Sequence, residues 1–264
     1  MIVLKADKIS ISFGGLKAVA NFNLSLQTGE LVGLIGPNGA GKTTIFNMLT
    51  GVYQPTEGQI LLQSPKDDAL QMVNNLKPYQ ITCLGLARTF QNIRLFKELS
   101  VLDNVRIAYH FNVKYRALQA ILRMPAYYRE EAEIEQKSLE LLRIFKIDHK
   151  SQELAKNLPY GEQRKLEIVR ALATNPQVLL LDEPAAGMNP QETQELMQLI
   201  RFIRQKFKLT ILLIEHDMNL VMGICERLVV LDYGQIIATG TPAEISRNPA
   251  VIKAYLGEEV AIDA

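Results

Sequence analysis

An α/β fold is predicted by three features of the sequence. Apolar runs at Leu31–Ile35, Val178–Leu181 and Thr210–Ile214 have the length of buried strands, and helix-forming stretches alternate with them. The first run opens directly into Gly36-Pro37-Asn38-Gly39-Ala40-Gly41-Lys42-Thr43-Thr44, in which two glycines bracket four residues and are followed by Lys and Thr. Between a strand and a helix, this is the phosphate-cradling P-loop pattern. From about Leu95 to Asn157 the strand signals fade and leucine-rich, charged, helix-forming composition takes over. The expected architecture is a P-loop nucleotide-hydrolase core with an antiparallel β subdomain and an inserted α-helical subdomain. Length allows one large domain or two small ones, and the expectation is a single domain over residues 1–264, with the insert at about 95–157 and a helical tail at about 241–264.

The chemistry of the loop explains its composition. Gly36, Gly39 and Gly41 let the backbone curl so that N–H groups point at an anion, and the N-terminus of the following helix, composed from Thr44–Leu49, adds the positive end of its dipole. Lys42 is expected to reach the β- and γ-phosphates of a bound nucleotide, and the Thr43 hydroxyl to sit on Mg²⁺. Gly36, Pro37, Asn38, Gly39, Ala40, Gly41, Lys42, Thr43 and Thr44 together form the expected nucleotide cradle.

Ahead of the loop, Val3–Phe13 alternates apolar and polar residues, as does Phe22–Leu26, and Gln59–Leu62 follows the turn-rich Gln54–Gly58. These form the expected antiparallel sheet beside the nucleotide. Phe13, near the end of its strand, is a candidate stacking platform for adenine, with a plain core role as the alternative. Within the insert, Glu130–Lys146 places Ile134, Leu139, Leu142 and Phe145 among charges, with Glu133 four residues before Lys137 for an ion pair. Pro125 must break any helix that runs into it.

After the insert, Leu158-Pro159-Tyr160-Gly161-Glu162-Gln163-Arg164 leads into a helix over Lys165–Ala173, whose N-terminus is expected near Glu162. Asn189-Pro190-Gln191-Glu192 reads as N-cap, N1 proline and N3 glutamate of a capped helix with Leu196, Leu199, Ile200 and Ile203 on one face. The strand Thr210–Ile214 delivers Glu215-His216-Asp217. Leu228–Leu231 and Gln235–Thr239 flank Asp232-Tyr233-Gly234 as a hairpin, and Thr241-Pro242-Ala243-Glu244 caps one more helix.

Composition excludes several classes. A formal net charge of +1 gives no sign of nucleic-acid binding, and Cys83 and Cys225 lack any metal-ligand spacing and suggest a reducing compartment with no disulfide framework. Met1–Ser10 lacks the basic and apolar regions of an export leader, and no run approaches the roughly 18 apolar residues that span a bilayer. Any membrane action needs other chains to do the spanning.

An apolar strand ending in acid completes a P-loop site: Asp182 is expected in the Mg²⁺ shell, and Glu183 is placed to take a proton from the attacking water. With the P-loop, Gln91 in Arg88-Thr89-Phe90-Gln91-Asn92, the signature at Leu158–Gln163, Leu179–Pro184 and His216 in order, the chain resembles the ATP-binding cassette (ABC) family over nearly its whole length. The resemblance implies an ATPase that works as a dimer. Each ATP is held between one subunit's P-loop and the other's signature, here Tyr160, Gly161 and Glu162. It implies that Gln91 touches metal or water and couples to a membrane partner, and that His216 contacts the γ-phosphate.

Arg88–Gln91 with Arg94-Leu95-Phe96, Ala185–Pro190 and the tail Gly240–Gly257 further resemble the ATPases of branched-chain and other hydrophobic amino-acid importers. That likeness implies transmembrane permease subunits, a second, paralogous ATPase subunit in a heterodimer, a solute-binding protein in the assembled system, and a place on the cytoplasmic face of the inner membrane. The alternative is the ATPase of a lipopolysaccharide or phospholipid transporter. A soluble DNA-repair relative is disfavoured by the short insert without heptads, and a translation-associated one by the single P-loop. Two residues depart from the family: Pro159 replaces the signature serine, with Tyr160 in place of the next glycine, and Asn189 replaces an aspartate. These departures are the only support for a non-hydrolysing module, against which Lys42, Asp182, Glu183 and His216 stand.

Overall fold

The computed structural model describes residues 1–64, 68–110, 113 and 117–256. Two compact units form, one from Met1–Arg88 with the described residues from Gln177 on, the other from Thr89–Pro176. The first unit opens with β1 (Ile2–Phe13) and β2 (Leu16–Gln27), longer than the alternation alone marks out, followed by β3 (Leu31–Ile35) and α1 (Lys42–Leu49). Then come β4 (Glu57–Gln63), β5 (Leu70–Met72), α2 (Pro78–Cys83) and β6 (Leu86–Arg88). An antiparallel sheet is ordered β2-β1-β4-β5. Its alternation buries Leu4, Ala6, Leu24, Leu26, Ile60 and Leu62 against Ile45, Phe46 and Leu49 of α1 in one core.

The second unit is helical, with α3 (Val101–Tyr109), α4 (Ala117–Ile121), α5 (Pro125–Ile144) and α6 (Tyr160–Ala173). Pro125 is the first residue of α5, where its missing N–H costs no intrahelical bond. The expected stripe shifts slightly: Ile134, Ser138, Leu141, Leu142 and Phe145 are buried, whereas Leu139 is half-buried. Glu133 and Lys137 do pair on its outer face, at 2.5 Å.

Returning to the first unit, β7 (Val178–Asp182) is followed by α7 (Pro190–Phe207), β8 (Thr210–Ile214) and α8 (Met218–Ile224). β9 (Arg227–Asp232), β10 (Gln235–Gly240), α9 (Pro242–Ile245) and α10 (Pro249–Leu256) complete it. Of the expected tail, residues 257–264 lie outside the described residues. A second sheet is ordered β10-β9-β3-β8-β7-β6, parallel except for β10 at its edge. Every residue of β3, β7 and β8 is buried, as expected for strands covered on both faces. The capping box at Asn189 and Glu192 is present with both hydrogen bonds at 2.9 Å. On α7, Thr193, Leu196, Met197, Ile200 and Ile203 face the core, and Leu199 is half-buried.

Every residue of β8 is buried, so neither face of the sheet gives its side chains room to relax outward. Leu212→Ala should therefore destabilise the protein by about 2–5 kcal/mol in urea denaturation. A loss below about 1 kcal/mol would contradict this core assignment.

Candidate functional site

The expected site residues of the first unit lie where β3, β7 and β8 end, at the carboxyl edge of the parallel strands. β3 turns into the glycine loop at Gly36, whose φ is +151° and where a Cβ would sit 2.0 Å from the Leu231 carbonyl oxygen of β9. Only glycine lets the loop approach its neighbouring strand this closely. Gly41, at φ +102°, caps α1 and hands the chain to Lys42 at the first helical position. Asn38, Gly39 and Thr43 are exposed, Pro37 and Thr44 half-buried, and Ala40 buried. The loop's outer rim borders a cleft of about 630 Å³ shared with Asp232, Tyr233 and Lys253.

The Lys42 ammonium donates to the carbonyls of Gly36 at 2.7 Å and Pro37 at 2.8 Å, and so lies across the loop's concavity. Burial pulls its pKa down, opposed by the charges of Glu183 and Asp182. Asp182, 2% exposed, receives Arg88 at 2.6 Å, and Arg88 also donates to the Asn47 side chain of α1 at 2.7 Å. Arg88 thus ties β6, β7 and α1 together, a role the sequence did not single out.

Glu183 has φ +47°, a left-handed conformation unusual for a residue with a Cβ. Its carboxylate meets His216 Nε2 at 2.9 Å, and its N–H donates to the Ile214 carbonyl of β8 at 2.9 Å. Next to His216, Glu215 is 3% exposed, and burial pushes its carboxyl pKa up against hydrogen bonds from Ala185, His216 and Asp217. The expected catalytic pair, Glu183 and His216, is therefore in direct contact. Phe13 is 46% exposed and rests edge-on against Tyr53 at 5.3 Å, so it is not a core aromatic.

Gln91 and the signature residues belong to the second unit. α6 begins at Tyr160, two residues before the expected start, because the Pro159 carbonyl accepts both Glu162 and Gln163 N–H groups at 3.0 Å. Gly161 is half-buried in the first turn, and Glu162 is engaged by Lys150 at 2.6 and 2.8 Å. Arg164 is completely buried. It donates to the carbonyls of Phe90 at 2.6 Å and Gln91 at 2.7 Å, to Glu167 at 2.8 Å and to the Tyr160 hydroxyl at 3.1 Å. Glu167 accepts the N–H groups of Phe90 and Arg94, both at 3.3 Å. The backbone on either side of exposed Gln91 is thus bolted to the signature helix. A charged helical position with an i,i+3 partner of opposite sign gave no sign of this, since such pairs usually face water.

A P-loop lysine, a strand-end Asp-Glu pair, a histidine on that glutamate and a signature helix define an ATP-binding cassette ATPase. The chain belongs to the ABC transporter family, whose family model matches residues 19–186. A second model, described as branched-chain amino acid ATP-binding cassette transporter, matches residues 235–261. LivG, the high-affinity branched-chain amino acid transport ATP-binding protein of Escherichia coli K12, is 48% identical over 257 residues, covering 97% of this chain and 98% of LivG. BraF, the corresponding protein of Pseudomonas aeruginosa, is 44% identical over 256 residues, covering 97% of this chain and 98% of its own length. Among solved structures, the ADP conformation of MJ1267, an ATP-binding cassette of an ABC transporter, matches with a TM-score of 0.83 at 30% identity, covering 98% of this chain and all of that one. Membership means that the chain binds nucleotide, pairs with a second cassette and works with membrane permeases as a peripheral subunit. Among the described residues, no helix is long and apolar enough to cross a membrane.

Truncating one member of a buried ion pair leaves the other charge uncompensated. Arg164→Met should therefore cost about 3–5 kcal/mol in chemical denaturation, and the joint change Arg164→Met with Glu167→Gln should cost less than the single one. Equal or greater loss in the double variant would show that the pair is not what holds the loop.

Proposed function

We propose that this chain is the ATP-hydrolysing subunit of an importer for branched-chain or other hydrophobic, neutral amino acids. The observation that carries the substrate class is the near full-length likeness to LivG together with the tail match at residues 235–261. We read the two compact units as the core and the helical insert of one nucleotide-binding domain.

In this reading, Gly36–Thr44 cradle the phosphates of ATP with backbone N–H groups, and Phe13 stacks on adenine. Lys42 turns from the loop carbonyls to the β- and γ-phosphates, supplying a positive charge where negative charge develops. Glu183 accepts a proton from the attacking water, held toward the phosphate by the turned backbone at its φ of +47°. His216 stays on Glu183 through Nε2 and uses the same ring to sense the γ-phosphate. The Thr43 hydroxyl and Asp182 carboxylate are hard oxygen donors that suit Mg²⁺, with Gln91 as a further oxygen ligand or water contact. When bound, that ion neutralises charge on the β- and γ-oxygens. Tyr160, Gly161 and Glu162 contact the nucleotide held by the other subunit, and Gln91 passes its state to the permease.

Pro159 offers neither hydroxyl nor N–H to a phosphate. One missing charge-assisted hydrogen bond is worth roughly 1.5–3 kcal/mol, enough to favour a partner whose signature retains serine. The physiological dimer is therefore a heterodimer with a paralogue, on the cytoplasmic face of the inner membrane beneath the permease subunits, served by a solute-binding protein.

Purification of the complex from membranes should recover permease chains, one paralogous ATPase and a receptor that binds leucine-like amino acids. Two copies of this chain without a paralogue would contradict the heterodimer, and a lipid-binding partner would contradict the substrate class. In that complex Lys42→Ala should abolish both nucleotide binding and turnover; wild-type turnover would remove Lys42 from the site.

A further inference from the structure

Glu183 sits in a conformation that a residue with a side chain rarely adopts, so something must over-determine it. Three links join the turn that leaves β7 to the turn that leaves β8. The Glu183 N–H donates to the Ile214 carbonyl at 2.9 Å, and the Glu183 carboxylate meets His216 Nε2 at 2.9 Å. The third comes from Glu215, whose Oε1 accepts the Ala185 N–H at 2.7 Å while its Oε2 accepts the His216 N–H at 3.0 Å and the Asp217 N–H at 3.5 Å. The first two links involve Glu183 itself. The third does not, and it grips the chain on both sides of the pair at once: two residues after Glu183 in one turn, and at His216 in the other.

A buried carboxylate is expensive unless its oxygens are satisfied, and Glu215 is 3% exposed. Here the satisfaction comes from backbone N–H groups of both turns, so the side chain cannot shift without releasing one of them. The structure assigns Glu215 as a positioning residue for ATP hydrolysis: by bridging Ala185 to His216 and Asp217 it holds the Glu183 backbone in its left-handed turn and keeps the carboxylate on His216. Glu215 touches neither nucleotide nor water in this account and acts only through Glu183. The inference rests on Glu183 being the base.

The test is a double-mutant cycle in the assembled complex, measuring ATP affinity with a fluorescent nucleotide and hydrolysis under single-turnover conditions. Glu215→Ala should lower the hydrolysis rate by about 10- to 100-fold, the scale of a displaced catalytic group, and leave ATP affinity within about threefold. In a Glu183→Gln background the same change should have almost no further effect on rate, because the group it positions is already gone. Glu215→Gln, which keeps the volume and one acceptor, enters the same cycle in case the alanine variant does not fold.

If the Glu215 change costs the same factor with and without Glu183, or lowers ATP affinity as much as rate, the positioning role is wrong. If Glu183→Gln alone leaves hydrolysis intact, the base assignment is what fails, and the cycle reads that separately.

Discussion

The register of three parallel strands governs everything at the carboxyl edge of their sheet. Ile214 of β8 is paired with Leu34 of β3 on one side and Asp182 of β7 on the other, so the P-loop, the two acids and His216 leave the sheet at one level. These strands are apolar and buried on both faces, and a slip of one residue would not expose an alternating face as it would in a half-buried strand. The register must be pinned elsewhere, and the pins are polar groups at the strand ends. At the start of β8, the Thr210 hydroxyl accepts the Gly29 N–H at 2.9 Å, and the Thr210 N–H donates to Gln177 at 2.9 Å. At its exit, Ile214 accepts the Glu183 N–H. The turn at Glu183 is thus also part of the device that sets the sheet in register.

Much of this was legible in the sequence because its signals are local. A P-loop, a capping box at Asn189 and Glu192, and runs of buried aliphatics each announce themselves within about ten residues, and the structure places all of them where the pattern does. Unread was the stretch from β5 through β6, whose strands are only three residues long, below the window in which periodicity can be counted. Pairings across distance were hidden as well. Arg88 meets Asp182 across 94 positions and Arg164 meets Gln91 across 73, and nothing in the local pattern distinguishes these arginines from solvated ones. The start of α6 was set too late because its first turn carries Tyr and Gly, weak helix formers, and is fixed instead by the Pro159 carbonyl.

Several charged side chains are buried at a cost. Lys42, Asp182, Glu215, Arg164 and Glu167 are each less than a tenth exposed, and each would destabilise the fold if left alone. None of them is alone. Lys42 uses loop carbonyls, Asp182 uses Arg88, Glu215 uses backbone N–H groups, and Arg164 with Glu167 uses the backbone around Gln91. Such pairs add little net stability compared with apolar packing, but they admit few alternative geometries. The aliphatic core of the two sheets supplies the stability, and the polar contacts fix where these side chains stand.

We propose Glu183 as the base, whose loss stops hydrolysis without stopping binding. Its most direct test is the chemical identity of the nucleotide retained by the complex carrying Glu183→Gln after incubation with Mg²⁺ and ATP, read by acid quench and chromatography. The variant complex should retain unhydrolysed ATP in a long-lived closed dimer, with turnover lowered on the order of 10²-fold or more. Recovery of ADP at near wild-type turnover would contradict it and move the base to another residue.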